Sequence, residues 1–443
     1  MPKAITEKEL KQYSDNYNGS KERQMATMAF SKSEINDVSY IGASAKDVRF
    51  DFSINIPTLP VTNQERTGRC WLFSATNVLR ERIARKLNVD NFEISQSYLA
   101  FWDKFERANY FLENIMATAD LPTDDRNVAF ILSTGVHDGG QWEMFANIVR
   151  KYGIVPKAVF PETYQSSHSQ GPNRYLNQAL KREAAVLRDM IHNGATEEEL
   201  QAEKNSMLDK VYGFLCSCYN EPVSSFDLEY TDKDKKYHIE KGLTPQKFRE
   251  EYVGDLLDKT VSVINAPTKD KQFHKTYTIR YLTNVVGGHD VVHLNLTMEE
   301  MKAAIIAQLS AGKVVWFGSD VGHDGDRKNG IWDDKAFNVS LMSGLDLDIS
   351  KENGLDYGFS AMNHAMVITG VNLENGIPTK WKIENSWGNE AGNKGYYVCS
   401  DSWFDKYVYQ AAIEEEYLGE LAALAKQEPI MLEAWDPMGT LAD

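Results

Sequence analysis

Across residues 71–87 the apolar positions Leu72, Leu79, Ile83 and Leu87 recur at helical spacing, with Arg80, Glu81 and Arg85 among them. That spacing predicts a helix. Residues 7–17 also read as helix-prone, before the chain turns extended and proline-punctuated around Pro57 and Pro60. Several further helical stretches follow up to Arg150. From about Gln165 to Lys275 the sequence is charged and patchy, with runs such as Thr196-Glu-Glu-Glu-Leu200 and Asp232-Lys-Asp-Lys-Lys236, and it reads as a mostly helical insertion. After Val314 the period changes. Short β-type runs occupy 314–317, 365–369, 381–384 and 396–399, and Asn375-Gly376 is a turn signal between two of them. Helices first and strands later predict an α+β fold with segregated layers.

A chain of 443 residues has room for about three domains, or for one enlarged fold carrying insertions. Hydrophobic residues make up 42% and charged residues 25%, which is ordinary globular usage and excludes a disordered or low-complexity chain. No apolar run approaches the roughly 20 residues that cross a bilayer, so a soluble protein without a membrane partner is expected. The net charge of −16 does not suit a surface devoted to nucleic acid, which requires a basic footprint. Four cysteines are too few for a disulfide scaffold. The polar stretch up to Gly19 lacks the apolar core of a secretory signal, so a cytoplasmic location with reduced thiols is expected.

The chemistry concentrates in Gln64-Glu-Arg-Thr-Gly-Arg-Cys70-Trp71. A cysteine in the first turn of a helix meets the positive end of the dipole and free backbone N–H groups, which favour thiolate over thiol. Any single cysteine is more often a packed structural thiol. Two other segments change that balance. His364 opens the apolar run Ala365-Met-Val-Ile-Thr369, and Asn385 follows the run Trp381-Lys-Ile-Glu384. If those strands pair, His364 and Asn385 meet at one end of a sheet. A histidine beside the cysteine stabilises the thiolate and later protonates a leaving amine. The Asn385 oxygen would fix its tautomer, and Trp387 would screen that hydrogen bond from water.

In kind and order these segments resemble the papain-like cysteine peptidases. The resemblance implies Cys70 as nucleophile, His364 as acid/base, Asn385 as orienting residue and Gln64 as oxyanion donor. Two features depart from the family's secreted members. Thr67 stands where they carry a further cysteine, and His364 lies 294 positions after Cys70 rather than about 130–150. A closer resemblance, to the bleomycin hydrolase and bacterial aminopeptidase C branch, covers nearly the whole chain. It rests on Thr62-Asn-Gln64, Gly68-Arg-Cys70-Trp71, Phe101-Trp-Asp-Lys104, Asp138-Gly-Gly-Gln-Trp142, Lys151-Tyr-Gly-Ile-Val-Pro-Lys157, Ser262-Val-Ile-Asn-Ala-Pro267, Val285-Val-Gly-Gly288 and Trp435-Asp-Pro-Met-Gly439.

That branch implies a cytosolic aminopeptidase acting on peptides with a free N-terminus, assembled as a homohexameric ring around an inner cavity. On its pattern the chain divides into an N-terminal arm (1–60), the helical half of the core (61–164), the mostly helical insertion (165–275), a β-rich half (276–412) and a C-terminal arm entering the cleft (413–443). Gly139 and Gly140 would line the substrate backbone. The apolar tail would lie in the cleft with its carboxylate toward the substrate's α-ammonium. The family's tail commonly ends at the position of Ala442, so Asp443 is a departure, and self-trimming of Asp443 is one way to reconcile it.

Other signals carry less. Cys216-Ser-Cys218 lacks a second ligand pair at zinc spacing, and Cys399 sits in the apolar run Tyr396-Tyr-Val-Cys399 as a packed thiol would. His289 and His293 have the spacing of a zinc helix without its glutamate. Asp324-Gly-Asp326 would place Lys335 where a calcium loop needs Glu. No metal or cofactor is required. A thiol endopeptidase on the same scaffold is the alternative, and a ring-forming binder of nucleic acid or peptides is the alternative from another class.

Overall fold

The computed structural model describes residues 2–42 and 49–442. The helix expected at 71–87 spans Cys70–Leu87. It stops at Asn88, whose left-handed backbone (φ 55°, ψ 47°) turns its N–H back to the carbonyls of Ala84 and Arg85. Arg80 and Glu81 are buried along with Leu72, Leu79 and Ile83. The reason is position: other helices pack on one side of this helix and a sheet on the other. The surrounding helices are Gln96–Ala117, Arg126–Thr134 and Trp142–Tyr152. Their apolar faces form one core with Trp71, Leu79 and Ile83.

The described strands are β1 (Ile54–Asn55), β2 (Phe226–Thr231), β3 (Tyr237–Leu243), β4 (Thr260–Ile264), β5 (Thr276–Ile279), β6 (Val292–Asn295), β7 (Val315–Ser319), β8 (Gly325–Asp326), β9 (Ile331–Trp332), β10 (His364–Glu374), β11 (Ile377–Glu384), β12 (Tyr396–Ser400), β13 (Val408–Glu414) and β14 (Ile430–Leu432). The main sheet runs β14-β5-β6-β4-β13-β7-β10-β11-β12-β9-β8, with β1 added beside β10, and β2 and β3 form a separate hairpin. The turn Asn375-Gly376 has positive φ at both residues (53° and 84°), the geometry that a two-residue hairpin matching strand twist requires. It sets β10 against β11 with Val367 opposite Glu384. The first residue of β10 and the residue after β11 therefore lie at the same end of the sheet. The buried stretch of β10 is apolar on both faces because the Cys70–Leu87 helix covers one side and Met298–Ser310 the other.

The structure departs from the sequence expectation in three places. Residues 165–275 begin with two long helices, Gln170–His192 and Glu197–Tyr219, but then supply the β2–β3 hairpin and β4. The latter is part of the main sheet, paired with β13 and β6. Strands also begin well before Val314. β5 and β6 have only four residues each and mix polar with apolar side chains, so they give no apolar run. Polar side chains of β6 take specific partners: His293 Nδ1 bonds Ser262 Oγ at 2.8 Å, and Asn295 Nδ2 donates to the Ala266 and Lys271 carbonyls at 3.0 Å, while the buried His293 Nε2 has none among the described residues. Finally, β13 extends to Glu414, past the expected start of the C-terminal arm.

A buried polar clamp joins the two layers. Arg80 Nη2 and Asn77 Nδ2, both on the Cys70–Leu87 helix, donate to Glu384 Oε1 at 2.9 Å each. The side chains of Arg80 and Glu384 are each only 1% exposed. Removing one partner leaves the other charge buried and uncompensated. Glu384→Ala is therefore expected to lower the unfolding free energy by about 3–5 kcal/mol. Glu384→Leu combined with Arg80→Met should restore most of that loss. Equilibrium denaturation measures both, and an unchanged midpoint for Glu384→Ala contradicts the clamp.

Candidate active site

Cys70 is the first residue of its helix and is 5% exposed. The N–H of Ala365 points at its Sγ at 3.4 Å, so the helix start abuts the first residues of β10. His364 opens β10, opposite Ser319 of β7. Its Nε2 lies 2.9 Å from Asn385 Oδ1. That oxygen also accepts the N–H of Ser386 at 2.8 Å, which identifies it as the acceptor and Nε2 as the protonated nitrogen of the neutral ring. Nδ1 is then free to exchange a proton. Trp387 stacks on the imidazole with ring centroids 4.7 Å apart and planes at 28°, covering one face of the ring. The three segments singled out in the sequence converge.

Gln64 is buried and pinned on both sides. Its N–H donates to the Ser386 carbonyl at 2.8 Å, the Ser386 hydroxyl donates to Oε1 at 2.7 Å, and Nε2 donates to the Thr67 carbonyl at 2.7 Å. One Nε2 hydrogen is not used by that bond. Thr67, which stands where secreted papain-like enzymes carry a cysteine, donates its hydroxyl to the Gln64 carbonyl at 2.7 Å and so braces the same loop.

Gly140 packs so closely that a Cβ there would stand 2.5 Å from the Trp71 ring. Its N–H donates to the Leu441 carbonyl at 3.0 Å, and the Gly139 carbonyl accepts from Arg107. The tail is held along its length. Arg126 lies 3.4 Å over the Trp435 ring, Lys271 pairs with Asp436 at 2.8 Å, and Gln141 donates to the Met438 carbonyl at 3.3 Å. Thr440 donates to the Met362 carbonyl at 2.9 Å, and Leu441 is buried. Ala442 closes the last turn, while Asp443 lies outside the described residues.

Sequence reasoning missed one residue of consequence. Asp138 accepts from the N–H of Gly68 at 2.9 Å, from Lys104 at 2.7 Å, from Asn173 at 2.8 Å and from the Ser169 hydroxyl. Its carbonyl accepts from Trp71 Nε1 at 2.5 Å. The buried carboxylate thus ties the loop before Cys70 to Lys104, Ser169 and Asn173, and the same residue's carbonyl holds the Trp71 ring. Burial alone would raise its pKa, but the Lys104 ion pair and the converging donors hold the carboxyl far below the usual range. The motif Asp138-Gly-Gly-Gln-Trp142 was the available signal, yet the partners are scattered over more than a hundred positions.

The electrostatics correct the thiolate expectation. Burial pushes Cys70 up to about 11, against the pull of the Ala365, Trp71 and Cys70 N–H groups. Burial also pushes His364 down to about 4, with Asn385 opposing it and Arg327 adding to it. The helix terminus by itself does not ionise the thiol. Moving the proton from Sγ to Nδ1 leaves the net charge unchanged, so the thiolate form depends on its attraction to the imidazolium that it creates.

The discounted signals separate. His289 is exposed and pairs with Glu143 at 3.3 Å, whereas His293 is fully buried. Among the described residues no group of three His, Cys, Asp or Glu side chains is arranged to hold a metal ion. No described helix is long and apolar enough to cross a membrane.

The sequence profile of the Peptidase C1-like family matches residues 4–439. Aminopeptidase C of Lactobacillus delbrueckii subsp. lactis is 45% identical over 446 aligned residues, covering 100% of this chain and 99% of its own. Bleomycin hydrolase of Homo sapiens is 40% identical over 393 residues, covering 87% and 86%. The crystal structure of PepW from Lactobacillus rhamnosis HN001 superposes with a TM-score of 0.96 at 45% identity, over 99% of both chains.

The shifts at Cys70 and His364 generate a pH expectation for the thiol. A dyad sharing one proton takes up a second as the pH falls through the folded imidazole value of about 4, so the reactive form persists above that limb and is lost below it. Alkylation of Cys70 by iodoacetamide should therefore show an acid limb near pH 4, not at the ordinary histidine value of about 6.5. A rate that instead climbs only toward about 11 would mean that Cys70 titrates alone.

Proposed function

Because the chain belongs to the Peptidase C1-like family and is a papain-like cysteine peptidase, we propose that it acts as a thiol aminopeptidase whose tail selects free N-termini. Cys70 Sγ, its proton held on His364 Nδ1, attacks the carbonyl of the first peptide bond. The oxyanion is received by Gln64 Nε2 and the Cys70 N–H. His364 returns the proton to the departing amine, and water then releases the acyl group by the same exchange in reverse. Asn385 keeps the imidazole in the tautomer that faces the sulfur, and Trp387 keeps water from their hydrogen bond.

The hydrogen bond from the Gly140 N–H to the Leu441 carbonyl carries the exopeptidase reading. That bond supports the reading because, on it, the tail backbone takes the ground that a substrate extending N-terminally past one residue would need. A tail carboxylate just past Leu441 would meet the substrate's α-ammonium, which is largely protonated near pH 7 because its pKa is about 7.7–8.0. At ~4 Å and an effective dielectric near 20 the attraction is roughly 4 kcal/mol before desolvation. The names of the similar proteins point the same way.

We also propose a homohexamer in the cytoplasm. The helix Glu7–Gly19 buries no residue, and Leu10, Tyr13, Met25 and Met28 are exposed on the N-terminal arm, leaving apolar surface for a neighbouring copy. All four cysteines are unpaired, which suits a reducing compartment. The net charge of −16 counts against the nucleic-acid-binding alternative.

Two measurements test these readings. Amino-acid amides should be hydrolysed and their N-acetylated forms resisted, and deleting residues 441–443 should reverse that preference. Equal rates on both substrates before and after the deletion would remove the tail from the mechanism, and a wild-type preference for acetylated peptides would establish the endopeptidase alternative. For assembly, sedimentation at micromolar concentration should give a species of six chains, and a 50.2 kDa particle would overturn it.

A further inference from the structure

The side of the cleft opposite the tail carries a cation with no assigned role. Arg327 sits in the loop between β8 and β9, exposed to solvent. Its guanidinium carbon lies 5.2 Å over the ring of Trp387, the residue stacked on His364. The loop backbone is pinned. The Tyr397 hydroxyl donates to the Arg327 carbonyl at 3.3 Å, the Gly392 N–H to Lys328 at 3.2 Å and the Val398 N–H to Gly330 at 2.9 Å. Among the described residues no carboxylate forms an ion pair with Arg327. The adjacent Asp326 is committed to the N–H and side-chain amide of Asn329, at 3.1 and 2.6 Å.

This placement has a chemical consequence. A cation near His364 opposes the imidazolium that the reaction must form, and Arg327 acts in that direction on His364. The opposition disappears when an anion neutralises the guanidinium. The anion belongs to the leaving group, because the tail holds the Gly139-Gly140 side while Trp387 and Arg327 lie beyond His364, where the amine departs. The two ring spacings put the guanidinium at most about 10 Å from the imidazole. Allowing for the length of an Arg–carboxylate contact, a chain advancing about 3.3–3.6 Å per residue would bring its terminal carboxylate into reach after one or two residues.

Resting on the aminopeptidase reading above, we propose that Arg327 is a specificity residue that recognises the free α-carboxylate of a one- or two-residue leaving group, so that the preferred substrates are dipeptides and tripeptides. In a protein with a net charge of −16, a local cation also offsets the general repulsion of an anionic substrate end. A guanidinium held over an aromatic face presents a planar fork suited to a carboxylate.

The test compares Leu-Ala-Ala with its C-terminal amide, using leucine p-nitroanilide as an independent reporter of aminopeptidase activity. For the wild-type chain at low salt, kcat/KM should favour the free carboxylate by about tenfold or more, equivalent to about 1.4 kcal/mol, and added salt should shrink that ratio. Arg327→Gln should bring the ratio close to one, Arg327→Glu should invert it, and Arg327→Lys should retain part of it. If the wild type cleaves the p-nitroanilide but treats the two peptides alike, the role of Arg327 is overturned and the aminopeptidase reading stands. A ratio that survives in Arg327→Gln overturns it equally. If the wild type leaves the p-nitroanilide uncut and removes no leucine from either peptide, the aminopeptidase reading falls first and the role of Arg327 falls with it.

Discussion

The site depends on the contact between the N-terminus of the Cys70–Leu87 helix and the start of β10. The Ala365 N–H that touches Cys70 Sγ belongs to the residue after His364, so the spacing of sulfur and imidazole follows from how this helix lies on the strand. Two and three turns into the helix, Asn77 and Arg80 grip Glu384, the residue before Asn385. The Cys70 thiol, the His364 imidazole and the Asn385 amide thus share one packed unit, although the cysteine lies 294 and 315 positions before the other two.

Burial works against the chemistry as well as for it. The same packing that orders the dyad raises the Cys70 thiol and lowers His364, so each group alone would remain neutral. What the protein supplies in return is fixed dipoles: the N–H groups at the helix start, the Asn385 oxygen on Nε2, and an oriented Gln64 amide. These are in place before any substrate arrives, so little reorganisation accompanies charge formation. Asp138 is the other strong charge nearby, and its donors hold it as structure: it fastens the loop before Cys70 to Lys104, Ser169 and Asn173.

On the proposed reading the cleft is asymmetric. On one side the chain's own tail is bonded to Gly140 and anchored by Trp435, Asp436 and Met438. Beside His364, the half-buried Trp387 carries the exposed Arg327 guanidinium over its ring. On the proposed reading, a substrate is limited at its N-terminal end by the tail backbone and offered the Arg327 charge at its C-terminal end.

The sequence by itself determined the parts that local chemistry dictates. Leu72, Leu79, Ile83 and Leu87 specified the helix, and Asn375-Gly376 specified the hairpin because its positive φ values suit few other residues. With the hairpin came the meeting of His364 and Asn385 at one sheet end. The resemblance to papain-like peptidases, carried by motifs around Cys70, His364 and Asn385, named Gln64 and the cleft glycines as well. Tertiary structure alone decided the rest. β5 and β6 are four-residue strands that mix polar with apolar side chains and are buried by other parts of the chain, so they carry no period of their own. Asp138 and Arg327 look like ordinary surface charges in the sequence, because a charged side chain takes its role from what surrounds it and their surroundings come from other parts of the chain. The sign of the Cys70 shift belongs to the same class: the helix terminus that favours the thiolate is written locally, whereas the desolvation that outweighs it arises from many residues packing together.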